Sequence, residues 1–218
     1  MTRLIIVRHA ESHLNLQNRI QGQIDSRLTP KGLKQAAKLA ARMKNFKIDK
    51  IYSSDLGRAY STTVEITRRL KAGGRKKAVI IRDPLLREIH LGDWEGMTPE
   101  DVDKLYDKGY QKWLCKPSGC RIPKSETLAH FRRRVVGRLN KIAAANHGKT
   151  VLVVTHGGAI TALLSEWLKA DFDTLLINLH IENTSLAFVE YHGNRVRVRG
   201  FNDTTHLPRS QRNDHHVS

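Results

Sequence analysis

Two histidines, each leaving an apolar run beside anion-binding chemistry, are the residues of this chain best suited to reaction. The first is His9, in Arg8-His9-Ala10-Glu11-Ser12 behind Leu4-Ile5-Ile6-Val7. The second is His156, in Thr155-His156-Gly157-Gly158 behind Val151-Leu152-Val153-Val154. Apolar, β-branched runs of this length read as strands buried on both faces, the pattern of a parallel sheet. Open α/β sheets bind ligands beyond the carboxyl ends of their strands, so both histidines are expected at the rim of one crevice. The turn at Gly157-Gly158 opens an apolar helix to Leu168, whose free N–H groups and positive end suit an anion. A lone histidine in either place is more often a satisfied polar residue. Two of them at strand ends, one beside an arginine and one beside a glycine turn, point to a site for a phosphate-like group.

The rest of the chain must position these residues. Residues 11–27, rich in Asn, Gln and Gly and without a period, read as a polar loop over the first strand end, with Asn15 inside it. Thr29-Pro30 supplies an N-cap and a first-turn proline ahead of the stripe Leu33, Ala36, Ala37, Ala40, Ala41 and Met43, predicting a helix to about Asn45. A short strand over 49–53 follows, and Ser54-Asp55 caps a helix from about Leu56 to Leu70. Arg58 falls in its first turn, where side chains lean toward the helix N-terminus and so toward the crevice. Residues 78–81 give another strand, and 86–96, with two glycines and a tryptophan, an ordered loop. Helices are read over 99–114 and 125–146, the second behind a Ser125/Thr127 cap. A hairpin closes the chain over 185–191 and 195–198, around His192-Gly193-Asn194. Adjacent strand residues face opposite ways, so the first strand is expected to stop by about Val7 if Arg8 and His9 are to share a site.

At 218 residues the chain suffices for one α/β domain with a modest insertion. That domain is expected over 1–208, with a helical lid at about 92–146; the polar tail, 209–218, lacks apolar anchors and is expected to fray. No apolar run approaches the ~20 residues of a membrane span. Met1 leads straight into the first strand without a signal-peptide pattern, so a cytoplasmic location is expected. Cys115 and Cys120 are not spaced as Cys-x-x-Cys and read as two free thiols or a local disulfide. The formal charge of +17 points to an anionic partner: a phosphorylated small molecule, nucleic acid or an acidic surface. The runs Arg68-Arg69 with Lys71, Arg75-Lys76-Lys77 and Arg132-Arg133-Arg134 lack interleaved aromatics to stack bases and read as solvated faces.

Taken together, the chain resembles the first branch of the histidine phosphatase superfamily, the phosphoglycerate mutase-like group. The resemblance is carried by Arg8-His9, Asn15, Leu28-Thr29, Tyr52-Ser53-Ser54-Asp55-Leu56-Gly57-Arg58-Ala59, Leu86-Arg87-Glu88 through Trp94-Glu95-Gly96, and Thr155-His156-Gly157-Gly158. Asn183-Thr184-Ser185 and 202–207 match the family's closing segments. Ala10 stands where many members have glycine, a variant that the superfamily also shows. Lys124-Ser125-Glu126 stands where many have Gly-Glu-Ser, and no role is carried to it. The resemblance implies a three-layer α/β/α sandwich with a mostly parallel central sheet. It also implies that His9 is a nucleophile forming a phosphohistidine and that Glu88 is the acid, then the base. Arg8, Arg58 and His156 would supply positive charge to the phosphoryl oxygens, with Asn15 and Gly157 as further contacts. Guanidinium forks match phosphate oxygens, so no metal and no cofactor are expected.

The reading that follows is a metal-independent phosphomonoesterase acting on a small phosphorylated metabolite, with no membrane partner and nucleic acid disfavoured. Within the same family a phosphoglycerate mutase is the alternative, as is the phosphatase of α-ribazole phosphate in cobalamin synthesis. From another class, +17 could mark a nucleic-acid-binding or scaffolding protein on a retained fold. The intact set Arg8, His9, Arg58, Glu88 and His156 argues for an enzyme.

Overall fold

The apolar runs become the centre of a sheet. In a computed structural model describing residues 1–72, 79–193 and 195–212, β1 (Thr2–Arg8) lies between β4 (Thr150–Thr155) and β5 (Leu186–His192). Outward on one side come β2 (Lys50–Ser53) and β3 (Ile80–Arg82); on the other comes β6 (Arg195–Asp203). Among the described residues the strand order is β3-β2-β4-β1-β5-β6. The first four strands are parallel, β5 runs against them, and β6, antiparallel to β5, runs with them again.

Strand alternation sorts the core into two layers. Leu4 and Ile6 of β1, with Val151 and Val153 of β4, face α6 (Leu128–Ala144) and α7 (Gly157–Leu168), whose Phe131, Val135, Leu139, Ile160 and Leu163 are buried against them. Ile5 and Val7, with Leu152 and Val154, face α2 (Pro30–Met43) and α3 (Gly57–Ala72) through Leu39, Met43, Ile66 and Leu70. The result is the expected α/β/α sandwich. Burying one such side chain is worth about 1.5–3 kcal/mol, so both faces of β1 are held firmly.

Several boundaries differ from the sequence reading. The loop over the first strand end contains one helical turn, α1 (His13–Leu16), capped by Ser12 and Asn15. The helix read over 99–114 is two, α4 (Pro99–Leu105) and α5 (Gly109–Cys115). Asp107 and Lys108 adopt left-handed backbone between them, and the Asp103 carboxylate accepts from the N–H groups of Tyr110 and Gln111, starting the second helix. Gly109 packs closely there, where a Cβ would stand 3.0 Å from the Trp94 ring. A further helix, α8 (Phe172–Asn178), has no counterpart in the sequence reading. α6 belongs to the main core, so the part of 92–146 that stands outside the sandwich ends near Lys124; there Trp94, Val102 and Ile122 make a small core of their own. The tail is tied down further than expected. Arg209–Gln211 form a 3-10 turn, and the Gln211 carbonyl accepts from Gln35 Nε2 at 2.8 Å. Residues 213–218, Asn194 of the hairpin turn, and Ala78 with the run Arg75-Lys76-Lys77 lie outside the described residues. Both cysteines are free thiols. Among the described residues no helix is long and apolar enough to cross a membrane.

Candidate active site

The strand β1 does not stop at Val7. Arg8 is its last residue, paired with Thr155, and the His9 N–H continues the ladder onto the Thr155 carbonyl. Alternation is obeyed, and the two side chains still converge because the site straddles the rim of the sheet. Arg8 follows Leu4 and Ile6 toward α7, whereas His9 follows Ile5 and Val7 toward α3. The same alternation sends Thr155 to the Leu86 carbonyl at 2.7 Å and His156 to Ser54 on the other face.

His9 is buried, and its protonation is fixed by its neighbours. Nδ1 lies 2.8 Å from the Ala10 carbonyl, an acceptor only, so Nδ1 carries the proton. Nε2 is therefore a lone pair, and Arg58 Nε–H donates to it at 3.2 Å. Burial, with the positive charges of Arg58 and Arg8, holds its pKa well below 6.5. Arg58 is itself fully enclosed: its other nitrogens donate to the carbonyls of Ile24 and Gly22, each at 2.7 Å, and burial pushes its pKa down to about 10. The helix-face arginine of the sequence thus spans from α3 to the loop ahead of α2.

Arg8 donates to the Ile181 carbonyl and keeps a buried Nε with no protein partner. His156 has its ring centroid 5.2 Å from that of His9; Nε2 meets the Ser54 hydroxyl at 2.8 Å and Nδ1 is buried without a partner. Burial first, then Arg58, lower its pKa well below 6.5. The expectation that His156 brings a positive charge is corrected accordingly: before an anion binds, the charge comes from the two guanidinium groups and His156 offers one imidazole N–H. Glu88 has one carboxylate oxygen on the Gly158 N–H at 2.9 Å and the other on its neighbour's, Ile89, at 3.0 Å. Asn15 spends its carboxamide oxygen on the Ser12 N–H and hydroxyl, leaving the amide's donor end for a ligand. Arg8, His9, Asn15, Arg58, Glu88 and Gly157 line one cavity of about 350 Å³, while His156 lies behind it. Tyr110 and Trp113 of α5, with Leu176 and Leu179 at the end of α8, form its outer wall.

Sequence reasoning gave no role to the residues that hold this set. Asn183 Nδ2 donates to the His9 carbonyl at 2.8 Å, and Thr184 N–H donates to the carbonyls of Arg8 and His9. Arg134 is no solvated arginine: it donates to the carbonyls of Leu85, Arg87 and Glu88 and pairs with Glu126. A line of Glu126, His130 and Arg134, spaced by four along the start of a helix, was the available signal. Arg132 pairs with Glu166, and Arg68 and Arg69 share Glu65, so these stay surface residues.

Around a neutral imidazole lone pair, this arrangement gathers two guanidinium groups, a helix N-terminus and one carboxylate. It can bind a tetrahedral oxyanion, attack it and exchange a proton with the departing oxygen. Comparison with known proteins agrees. Phosphoserine phosphatase 1 of Hydrogenobacter thermophilus is 32% identical over 207 residues, covering 95% of each chain. A protein described as probable phosphoglycerate mutase GpmB, from Yersinia pestis, is 32% identical over 212 residues, again covering 95% of each. The structure of phosphoserine phosphatase from Entamoeba histolytica in complex with 3-phosphoglyceric acid superposes with a TM-score of 0.82 at 30% identity, over 95% of this chain and all of that one. The model of the histidine phosphatase superfamily (branch 1) matches residues 4–204, and the chain belongs to that family.

Proposed function

We propose that the protein is a phosphomonoesterase of small phosphorylated metabolites, acting through a phosphohistidine at His9, with water as the main acceptor. The observation that carries this reading is the His9 ring. Its proton is committed to the Ala10 carbonyl at 2.8 Å, so the free lone pair is on Nε2, at the site where Arg58 and Arg8 place positive charge. In the first step Nε2 attacks phosphorus and the P–O ester bond breaks. Arg8, Arg58 and the Gly157 end of α7 receive the charge on the phosphoryl oxygens, with the His156 imidazole behind them. Glu88, protonated, hands its proton to the departing alkoxide. In the second step Glu88 takes a proton from water as the water oxygen attacks phosphorus, the P–N bond breaks, and inorganic phosphate and free His9 result. Phosphoserine and phosphoglycerate, bound or hydrolysed by relatives, are the first substrates to try, and the cytoplasm is the proposed location.

The mutase reading differs in the acceptor. A mutase keeps its phosphohistidine from water while the product is exchanged, which needs an enclosing cover. The cover proposed here is residues 92–124: two short helices, two 3-10 turns and connecting loops. The test is product partitioning with 3-phosphoglycerate and phosphoserine, with and without 2,3-bisphosphoglycerate. Mostly inorganic phosphate, together with an acid-labile, alkali-stable phosphoenzyme that His9→Ala abolishes, is expected. Rapid bisphosphate-dependent conversion to 2-phosphoglycerate would overturn the choice of water.

A further inference from the structure

The loop that carries Glu88 is gripped from behind by a side chain that never reaches the cavity. Arg134, two turns into α6, directs Nη1 to the carbonyls of Leu85 and Arg87, both at 3.1 Å, and Nη2 to the Glu88 carbonyl at 3.2 Å. Its remaining donors go to Glu126, which in turn accepts the His90 N–H at 3.0 Å, while the Glu126 N–H donates to the His90 carbonyl. The backbone is thus bonded on both sides of Glu88. Arg134 and Glu126 are little exposed, 11% and 12%, and all of these bonds but the one to Leu85 are partly shielded from water. The arginine stem packs beneath them, its guanidinium carbon 5.2 Å from the centre of the Phe131 ring. From the loop ahead of α2, Gln23 Nε2 donates to the same Glu88 carbonyl at 3.1 Å.

We propose that Arg134 is a positioning residue which, with Glu126, sets where the Glu88 carboxylate meets the N-terminus of α7. The proposal rests on the acid role assigned to Glu88 above. Two features favour positioning over stability alone. The grip falls on the peptide units flanking one carboxylate, not on a hydrophobic layer. It also uses a planar fork with several fixed donors to span three carbonyls, which a lysine cannot reproduce.

The experiment compares kcat and KM on 4-nitrophenyl phosphate with those on an alkyl phosphate, phosphoserine or glycerol 3-phosphate, whose leaving group needs its proton. Variants are Arg134→Met, Arg134→Lys, Glu88→Gln and the Glu88→Gln/Arg134→Met pair. Misplacing a catalytic group by about 1 Å costs up to ~10²-fold, so Arg134→Met should lower alkyl-phosphate kcat about 10–100-fold with KM near wild type. The loss on 4-nitrophenyl phosphate should be several times smaller, Arg134→Lys should recover little, and the double variant should be hardly slower than Glu88→Gln. Equal losses on both substrates, or losses that multiply in the double variant, overturn the positioning role while leaving the acid in place. Equal losses for Glu88→Gln itself remove the acid, and the proposal falls with it. If Arg134→Met does not fold, Glu126→Gln takes its place in the same comparison, with the same outcomes supporting or overturning the role.

Discussion

Gly158→Ala separates stability from catalysis at one atom. The residue lies in the first turn of α7, where its N–H binds Glu88 and a methyl group would stand 2.6 Å from Glu88 Oε1 and 3.2 Å from Cδ. Ordinary contact begins near 3.4 Å, so the carboxylate must retreat by several tenths of an ångström. The Glu88 backbone cannot absorb the shift easily, because Gln23 and Arg134 both hold its carbonyl. Helix propensity works the other way, favouring alanine by up to about 1 kcal/mol. The expected variant is therefore folded, within about 1 kcal/mol of wild type, and slower by roughly 10–100-fold in kcat on an alkyl phosphate. Gly137→Ala in α6 is the companion: a Cβ there meets nothing within 4 Å, so it should gain about 1 kcal/mol, or about 2–4 °C in Tm, at unaltered activity. Steady-state kinetics on the two substrate types and thermal melts read both variants. Alkyl-phosphate kcat within threefold of wild type for Gly158→Ala would refute the placement of Glu88. Equal losses on both substrates, with raised KM, would instead mean that the methyl group blocks the phosphate.

Three further outcomes follow from the site. Arg58→Lys should lose at least ~10²-fold in kcat/KM, since three fixed donors serve His9, Ile24 and Gly22 and an ammonium cannot span them; a loss under fivefold would remove that role. Activity should survive exhaustive chelation and be inhibited by vanadate, because Arg8 and Arg58 carry the charge that a metal would otherwise supply; activity restored only by added magnesium or zinc contradicts this. His9 and His156 are buried with pKa values far below the 6.5 of the unfolded chain, and His206 is pushed down to about 4 by burial and Arg42. Unfolding therefore takes up protons below pH 6.5, so stability is whole above that pH and falls beneath it, by about 1.4 kcal/mol per pH unit for each fully buried histidine. Denaturant titrations between pH 7 and 5 check the slope, and the acid limb of kcat/KM should likewise lie below 6.5.

What can be read in advance is whatever local pattern carries. Leu4–Val7 and Val151–Val154 announce central strands, and Arg8, His9, Arg58 and His156 are placed at the rim by strand and helix geometry alone. Glu88 has no such signal, since its loop has no period, and only the family likeness points to it. Arg134 reads as solvated because a run of three arginines looks alike from the sequence. Only the third of them faces the carbonyls of another loop. The break between α4 and α5 is hidden because its left-handed residues are Asp107 and Lys108, not glycines. The outer wall at Leu176 and Leu179 joins the cavity from far along the chain, through packing that no window of sequence contains.

The pairing of β1 bears on how the molecule is made. Thr2–Arg8 is synthesised before both of its partners: the edges it needs are supplied by Thr150–Thr155 and Leu186–His192, and the carbonyls of Arg8 and His9 are pinned by Asn183 and Thr184. Contacts so distant in sequence form late and slow folding. A nascent chain carries Leu4–Val7 unpaired until both partner strands have emerged, an aggregation hazard that chaperones would have to shield. The site around His9 is therefore incomplete until β5 is in place, and chains cut short before Leu186 should lack it.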